Sequence, residues 1–233
     1  RRFLNSFLSQ TDREYLTAMV KYNRLLQERN RLLKTGPLTG FDEILEVLDM
    51  QLEQTGTLVY RKRAEMVGRL APKVAEYYAV LSSDREEVEV SYRSELAEAP
   101  FGELLAASRE RDRICGFTNC GVHRDDMKLE IMGFPIRKYG SQGQQKSMLL
   151  ALKLAQFDII RELRGVKPIL LLDDVFDKLD MARVEQLIGM VSSDRFGQIF
   201  ITDSNKVRLE GILAKMTENY KLFGVGGGTF TEL

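Results

Sequence analysis

The sequence predicts an α/β protein joined to an all-helical arm. Two observations carry this: near-heptad apolar spacing in the first half, and short apolar β-forming runs around a long helical run in the second. The balance of charge limits what such a molecule does. The 233 residues carry 34 Lys+Arg and 34 Asp+Glu, so the net charge is zero and argues against holding nucleic acid by bulk charge. Hydrophobics at 44% and charged residues at 29% are those of a globular chain, not a disordered one. Two Cys exclude a disulfide scaffold, and a single His excludes His-rich metal sites and two-histidine relays. The longest apolar runs, such as Ile169 to Leu172, are far too short to span a bilayer, and no secretory signal pattern opens the chain. A soluble, cytoplasmic protein is expected.

The zero hides segregation. Residues 1–34 hold eight Lys/Arg against three Asp/Glu, residues 35–60 none against five, residues 61–73 five against one, and residues 74–110 three against nine. Antiparallel helices pairing opposite charges account for such blocks. So does a basic helix over 12–34 that offers Arg24, Arg29, Arg31 and Lys34 to phosphates. Spacing alone does not separate the two.

From Asp12 to Lys34, Tyr15, Met19, Tyr22, Leu26 and Leu33 form a helical stripe with Arg29 at the skipped position. Thr11 or Asp12 supplies the N-cap, and Gly36-Pro37 the stop. After Thr39-Gly40 a second helix starts at Phe41, Ile44, Leu45 and Leu48. It continues past Gly56 through Val67, Leu70, Val74 and Tyr77 to Leu81. Ser82-Ser83-Asp84 closes it. Val88, Val90 and Tyr92 alternate with Glu89, Ser91 and Arg93 as a strand with one wet face, and residues 100–112 read as a short helix.

Cys115 to Asp126 followed by Met127 to Ile131 reads as two strands. Cys115, Cys120 and His123 fit no strong zinc spacing and lack a fourth ligand, so reduced core or strand cysteines are expected. Next, Gly140-Ser-Gln-Gly-Gln-Gln145 opens a long helical run. This is either a plain N-cap or a phosphate site, because a helix start offers free N–H groups and the positive dipole end. Pro168 to Leu172 leading into Asp173-Asp174 describes a buried parallel strand ending in carboxylates. One of these acids can hold Mg²⁺ and the other can orient or deprotonate a water. Asp177 to Asp180 turns into another helix. Gly197 to Ile201 forms a second buried strand, ending in Thr202-Asp203-Ser204 and expected beside the first.

Taken together, these features resemble the C-terminal half of an ABC-type P-loop ATPase head. Ser141 to Gln145 match its signature motif, Leu170 to Asp174 its Walker B strand, Asp177 to Asp180 its D-loop, and Thr202-Asp203 its switch strand. Phe3-Leu-Asn, Tyr22 to Lys34, and Gly121-Val-His-Arg-Asp-Asp126 extend the likeness over the whole chain. It is similar to the RecF family, the SMC-like ATPases of bacterial recombinational DNA repair. Val122 stands where that family usually has Pro, and Asp203-Ser204 where a Thr-rich stretch is common.

The resemblance implies a mixed, mostly parallel sheet with flanking helices over residues 113–233, and an arm over 1–112. It implies a protein of DNA replication, repair and the SOS response that binds ATP and Mg²⁺ and forms an ATP-dependent homodimer through the signature face. It also implies DNA binding at gaps and single-/double-strand junctions, support of RecA loading with RecO and RecR, and weak DNA-dependent ATPase activity. By the same resemblance Ser141, Gln142, Gly143, Gln144, Asp180 and Thr202 bind nucleotide, Asp173 serves Mg²⁺, and Asp174 is catalytic, positioning the attacking water. No G-x-x-x-x-G-K-S/T occurs: Gly36 to Gly40 has the wrong spacing and no Lys, and Gly226 to Gly228 is followed by Thr229. The family carries that loop N-terminal to the arm, so residues 1–233 alone are expected neither to bind ATP tightly nor to hydrolyse it. The alternatives are a head fragment of another SMC-like ATPase and a non-hydrolysing interaction module.

Overall fold

Asp12 sets the geometry of the first two helices. Its backbone is extended (φ −135°, ψ 106°) and its carboxylate accepts the N–H of Tyr15 at 3.0 Å, so α1 (Arg2–Thr11) ends and α2 (Arg13–Thr35) begins there. α1 carries no signal singled out in the sequence; it buries Leu4, Phe7 and Leu8. The computed structural model describes residues 1–36, 40–204, 211 and 220–233, so the expected Pro37 stop and Thr39 turn lie outside the described residues. α2 buries Tyr15, Met19, Tyr22 and Leu33 as the stripe predicts, but Leu25 rather than Leu26 fills the next position, and Arg29 is buried with them.

α3 (Phe41–Ser82) is one helix of 42 residues, continuous across Gly56 and Pro72. Pro72 removes one helical N–H without breaking the run. Gly56 has a packing reason. A Cβ there would lie 2.5 Å from the ring of Phe101, and one at Gly121 (φ +113°) would lie 2.6 Å from the same ring. Both glycines make room for one buried aromatic.

The chain divides into two compact units: Arg1–Ala75 with Val88–Tyr139, and Glu76–Glu87 with Gly140–Leu233. The boundary at 112/113 is not where they part. β1 (Val88–Arg93) pairs antiparallel with β2 (Asp126–Ile131), from Val88↔Ile131 to Arg93↔Asp126, and this pairing keeps residues 113–139 with the first unit. β3 (Phe134–Pro135) extends that sheet, and α5 (Ile136–Tyr139) follows. Residues 116–125 form turns, not the first of two strands. Cys115 is the exposed last residue of α4 (Phe101–Cys115), neither core nor strand, whereas Cys120 is buried.

In the second unit, α6 (Gln142–Arg164) runs from the capped Ser141 to a left-handed Gly165. β4 (Leu170–Asp173) and β5 (Ile199–Thr202) pair in parallel, Leu170↔Ile199 through Asp173↔Thr202, with α7 (Met181–Val191) between them in sequence. Among the described residues, one face of this pair is covered and the other is exposed. Leu170 and Leu172 are buried, while Ile169, Leu171 and Phe200 are more than half exposed, so the expectation of strands buried on both faces does not hold for residues 1–233. β6 (Phe223–Gly226) and β7 (Thr229–Glu232) make a hairpin whose turn is Gly227-Gly228, which accounts for the glycine run near the chain end.

Candidate functional site

The second unit brings together the β4–β5 strand edge, the Ser141 to Gln145 turn and the turn over residues 177–180. At the C-terminal end of β4 and β5, the Thr202 hydroxyl donates to Asp173 Oδ1 and accepts the Asp174 N–H at 3.1 Å. Asp174 has left the strand: its φ is +47°, the left-handed region that non-glycine residues adopt at some cost. Lys146 Nζ, one turn into α6, donates to the Asp174 carbonyl at 2.8 Å. Both carboxylates are exposed, and one hydroxyl fixes the first side chain and the second backbone. Parallel register puts Thr202 there, because it stands opposite Asp173 in the ladder.

Ser141 begins α6 with a full capping box. Its Oγ accepts the Gln144 N–H at 3.2 Å, and Gln144 Oε1 accepts the Ser141 N–H at 2.8 Å. This arrangement uses a lone pair of the hydroxyl and leaves its proton for another acceptor. The N–H groups of Gln142 and Gly143, in the first turn, have no helical acceptor. A Cβ at Gly143 would lie 3.3 Å from the Lys178 carbonyl, so the missing side chain lets the backbone of the 177–180 turn approach the helix start. Asp180 caps α7 by accepting the Arg183 N–H at 2.8 Å.

Glu86, to which no sequence motif points, ties these parts together. It accepts from Tyr78 Oη at 2.6 Å, Gln144 Nε2 at 3.0 Å and Arg183 Nη2 at 2.8 Å. Burial would raise its carboxyl; the donors from Tyr78, Gln144 and the Arg183 guanidinium outweigh that and hold it below the usual carboxylate range. Arg183 also donates to Ser147 Oγ on α6 at 2.8 Å. A lone glutamate between a helix end and a strand gives no sequence signal for such a role.

In the first unit, the four candidate DNA contacts separate. Arg24, Arg31 and Lys34 are exposed, and Arg24 also pairs with Glu28 at 2.9 Å. Steps of seven and three put these three residues on one side of α2, and exposed Lys21 continues the row. Arg29 is a correction. It is fully buried, with Nε 2.6 Å from Asp49 and Nη1 2.7 Å from Asp112 and 2.9 Å from Thr118, so it is not available to a phosphate. Arg29, from the basic block 1–34, does pair with Asp49 in the acidic block 35–60, whereas Lys62 with Asp12 and Glu14, and Arg109 with Asp49, are ion pairs between blocks of the same net sign.

The Gly121 to Asp126 motif is structural in this unit. Buried Arg63 donates to the Val122 carbonyl at 2.7 Å and contacts Asp125 at 3.4 Å, and Tyr92 donates to the same carboxylate. A carbonyl is what Arg63 uses at position 122, and proline supplies one as well as valine does. His123 is held by Tyr22 Oη at 2.8 Å and by the Thr118 carbonyl at 3.2 Å. Cys115, Cys120 and His123 form no metal cluster; no group of three such ligands occurs among the described residues.

No family model matches the chain. Its curated relatives match it over nearly its whole length. It is 45% identical over 234 residues to "DNA replication and repair protein RecF" of Bacteroides thetaiotaomicron, covering 100% of this chain and 63% of that protein. To the protein of the same description from Parabacteroides distasonis it is 48% identical over 228 residues, covering 98% and 62%. The chain is a homologue of RecF. It spans about 62–63% of the length of these relatives. A solved structure of the recombination mediator protein RecF-ATPrS in the RecFOR pathway matches with a TM-score of 0.78 at 29% identity, covering 100% of this chain and 62% of that one. The fold class is therefore the C-terminal half of an ABC-type head with a helical arm. No helix among the described residues is long and apolar enough to cross a membrane.

Proposed function

We propose that residues 1–233 are the signature and Walker B part of a RecF-type ATPase, whose ATP-closed homodimer binds DNA at gaps and single-/double-strand junctions. With RecO and RecR it supports RecA loading. The observation that carries this reading is the shared edge at which Thr202 organises Asp173 and Asp174, in the same unit as a capped helix start with unused donors. The relatives' description as a DNA replication and repair protein and the ATPrS in a related RecF structure support it.

The residues fit the groups this function requires. Asp173 offers a hard carboxylate oxygen at an exposed strand end, suited to Mg²⁺, which would neutralise phosphate charge there. The Ser141 hydroxyl proton and the N–H groups of Gln142 and Gly143 suit a phosphate held by the opposing subunit. Asp174, kept in place through its backbone by Thr202 and Lys146, presents its carboxylate to orient the attacking water. Asp180 fixes the D-loop start of α7. The phosphate-cradling lysine comes from outside residues 1–233, which contain no P-loop. Arg24, Arg31 and Lys34 meet the DNA backbone.

The test is hydrolysis. In the full-length protein Asp174→Asn is expected to lower ATP turnover about 100-fold or more while ATP binding persists. Purified residues 1–233 are expected to show neither tight binding nor turnover. Steady hydrolysis by residues 1–233, abolished by Asp174→Asn, would overturn the reading, as would an Asp174→Asn full-length protein with unchanged turnover.

A further inference from the structure

We infer that Glu86 is a positioning residue for the signature serine and the D-loop. This rests on the proposed ATPase and deepens it. A capping box alone does not immobilise Gln144: Oε1 is committed to the Ser141 N–H, but the amide swings about its terminal torsion unless its other end is held. Glu86 holds that end by accepting from Gln144 Nε2. The same carboxylate grips Arg183, three residues beyond the Asp180 cap, and Arg183 reaches back to Ser147 on the inner face of α6. The helix that presents Ser141 and the helix that follows the D-loop are thus referred to one acid.

That acid is itself fixed. Tyr78 Oη donates to its second oxygen, and it sits two residues after Ser83-Asp84, whose left-handed backbones (φ 54° and 57°) turn the chain back from the end of α3. Of the residues assigned to nucleotide, Glu86 touches only Gln144, at Nε2. It acts through Gln144 on the Ser141 hydroxyl, and through Arg183 on Asp180. Removing its charge leaves Gln144 a weaker partner and Arg183 with Asp180, 3.4 Å from its Nε, as its remaining acid. The helix start then samples poses in which the Ser141 proton does not face the phosphate, and small misplacements of that kind lower rates by about 10- to 100-fold.

The experiment compares Glu86→Gln, Ser141→Ala and the double variant in the full-length protein. ATP turnover, ATP-dependent dimerisation and thermal midpoint are measured. Glu86→Gln is expected to lower kcat and dimerisation at least 10-fold with KM for ATP within twofold, because the ATP cradle lies outside residues 1–233. The double variant is expected to lose less than the product of the two single losses, since the share that Glu86 exerts through the Ser141 hydroxyl is already gone; a merely structural loss would multiply with it. If Ser141→Ala impairs turnover and Glu86→Gln does not, or if the two losses multiply, the role of Glu86 is overturned while the ATPase reading stands. If neither single variant changes turnover or dimerisation, the signature reading itself falls. Should Glu86→Gln melt early, Tyr78→Phe, which deletes one donor to Glu86, is read instead. A drop in kcat at unchanged KM and midpoint supports the role, and unchanged kcat overturns it.

Discussion

The two units treat charge in opposite ways. In the first, guanidinium groups are folded inward: Arg29 and Arg63 are fully buried and answered by Asp49, Asp112 and Asp125. In the second, the acids at the strand edge, Asp173, Asp174, Asp177 and Asp180, are exposed. Away from that edge the second unit also buries charge, with Asp158 taking Tyr77, Arg161 and Arg195. The contrast is therefore between structural charge, whose partners come from the chain, and edge charge that faces solvent at Asp173, Asp174 and Asp177, with Asp180 tied to Arg183. Burying an ion is tolerable when its charge is answered: two carboxylates and Thr118 meet Arg29 at Nε and Nη1, while its Nη2 stays buried without a hydrogen-bond partner among the described residues.

The sharpest way to break the comparison is to remove a buried cation. Arg29→Met leaves Asp112 buried without its guanidinium, although Asn119 still donates to it from N and Nδ2 at 2.9 Å. The expected cost is about 3–5 kcal/mol, read as a large fall in the urea midpoint. Arg29→Met with Asp112→Leu and Asp49→Leu should recover much of that, since an apolar replacement of similar volume often matches a buried pair. If Arg29→Met shifts the midpoint by less than about 1 kcal/mol, the buried charge is not structural.

Arg29 also shows what was legible. Each charged block was visible as a count, but the fate of a single arginine depends on Asp112, 83 positions away, and no local pattern carries that. Elements defined by local signals came through closely: α2 from its Asp12 cap, β1 from strict alternation, α6 from the Gly140 to Gln145 turn, and the parallel β4–β5 pair from two apolar runs. Features set by distant partners did not. The β1–β2 pairing joins residues some forty positions apart, Gly56 answers to Phe101, and Glu86 acquires meaning only when Gln144 and Arg183 reach it. The Asp173–Thr202 contact was half legible: both residues were named, and parallel register supplied the meeting.

A middle-sized effect separates exposed from buried arginines on the same helix. Changing Arg24, Arg31 and Lys34 to Gln in the full-length protein should weaken DNA binding about equally across sequences. It should also flatten the salt dependence by roughly one power of salt concentration for each phosphate no longer neutralised. Stability should hold within about 0.5 kcal/mol, because these side chains are at the surface. Unchanged affinity and slope would assign them to solvent, and would leave α2 with structural charge alone.

The smallest expected effect concerns His123, a half-buried group whose two partners are neutral. The carbonyl of Thr118 requires a proton on Nε2, so Nδ1 accepts from Tyr22 Oη in the neutral ring. Protonation would set an N–H against a hydroxyl that now donates to it. Burial pulls the imidazole below its ordinary value; the Thr118 carbonyl offsets part of this, and Arg124 and Arg1 add to the depression. The unfolded chain therefore takes up a proton more readily than the folded one. Stability from this group is fully present above about pH 6.5 and drains away as the pH falls toward the depressed folded value. The chain has a single histidine, so between about pH 6.5 and 5, above the usual carboxylate range, a slope in the urea midpoint reports on this ring. His123→Asn, which keeps one donor and one acceptor, should cost stability at pH 7.5 and remove the slope. A variant that retains the wild-type slope would place the titration in the acids, not in His123.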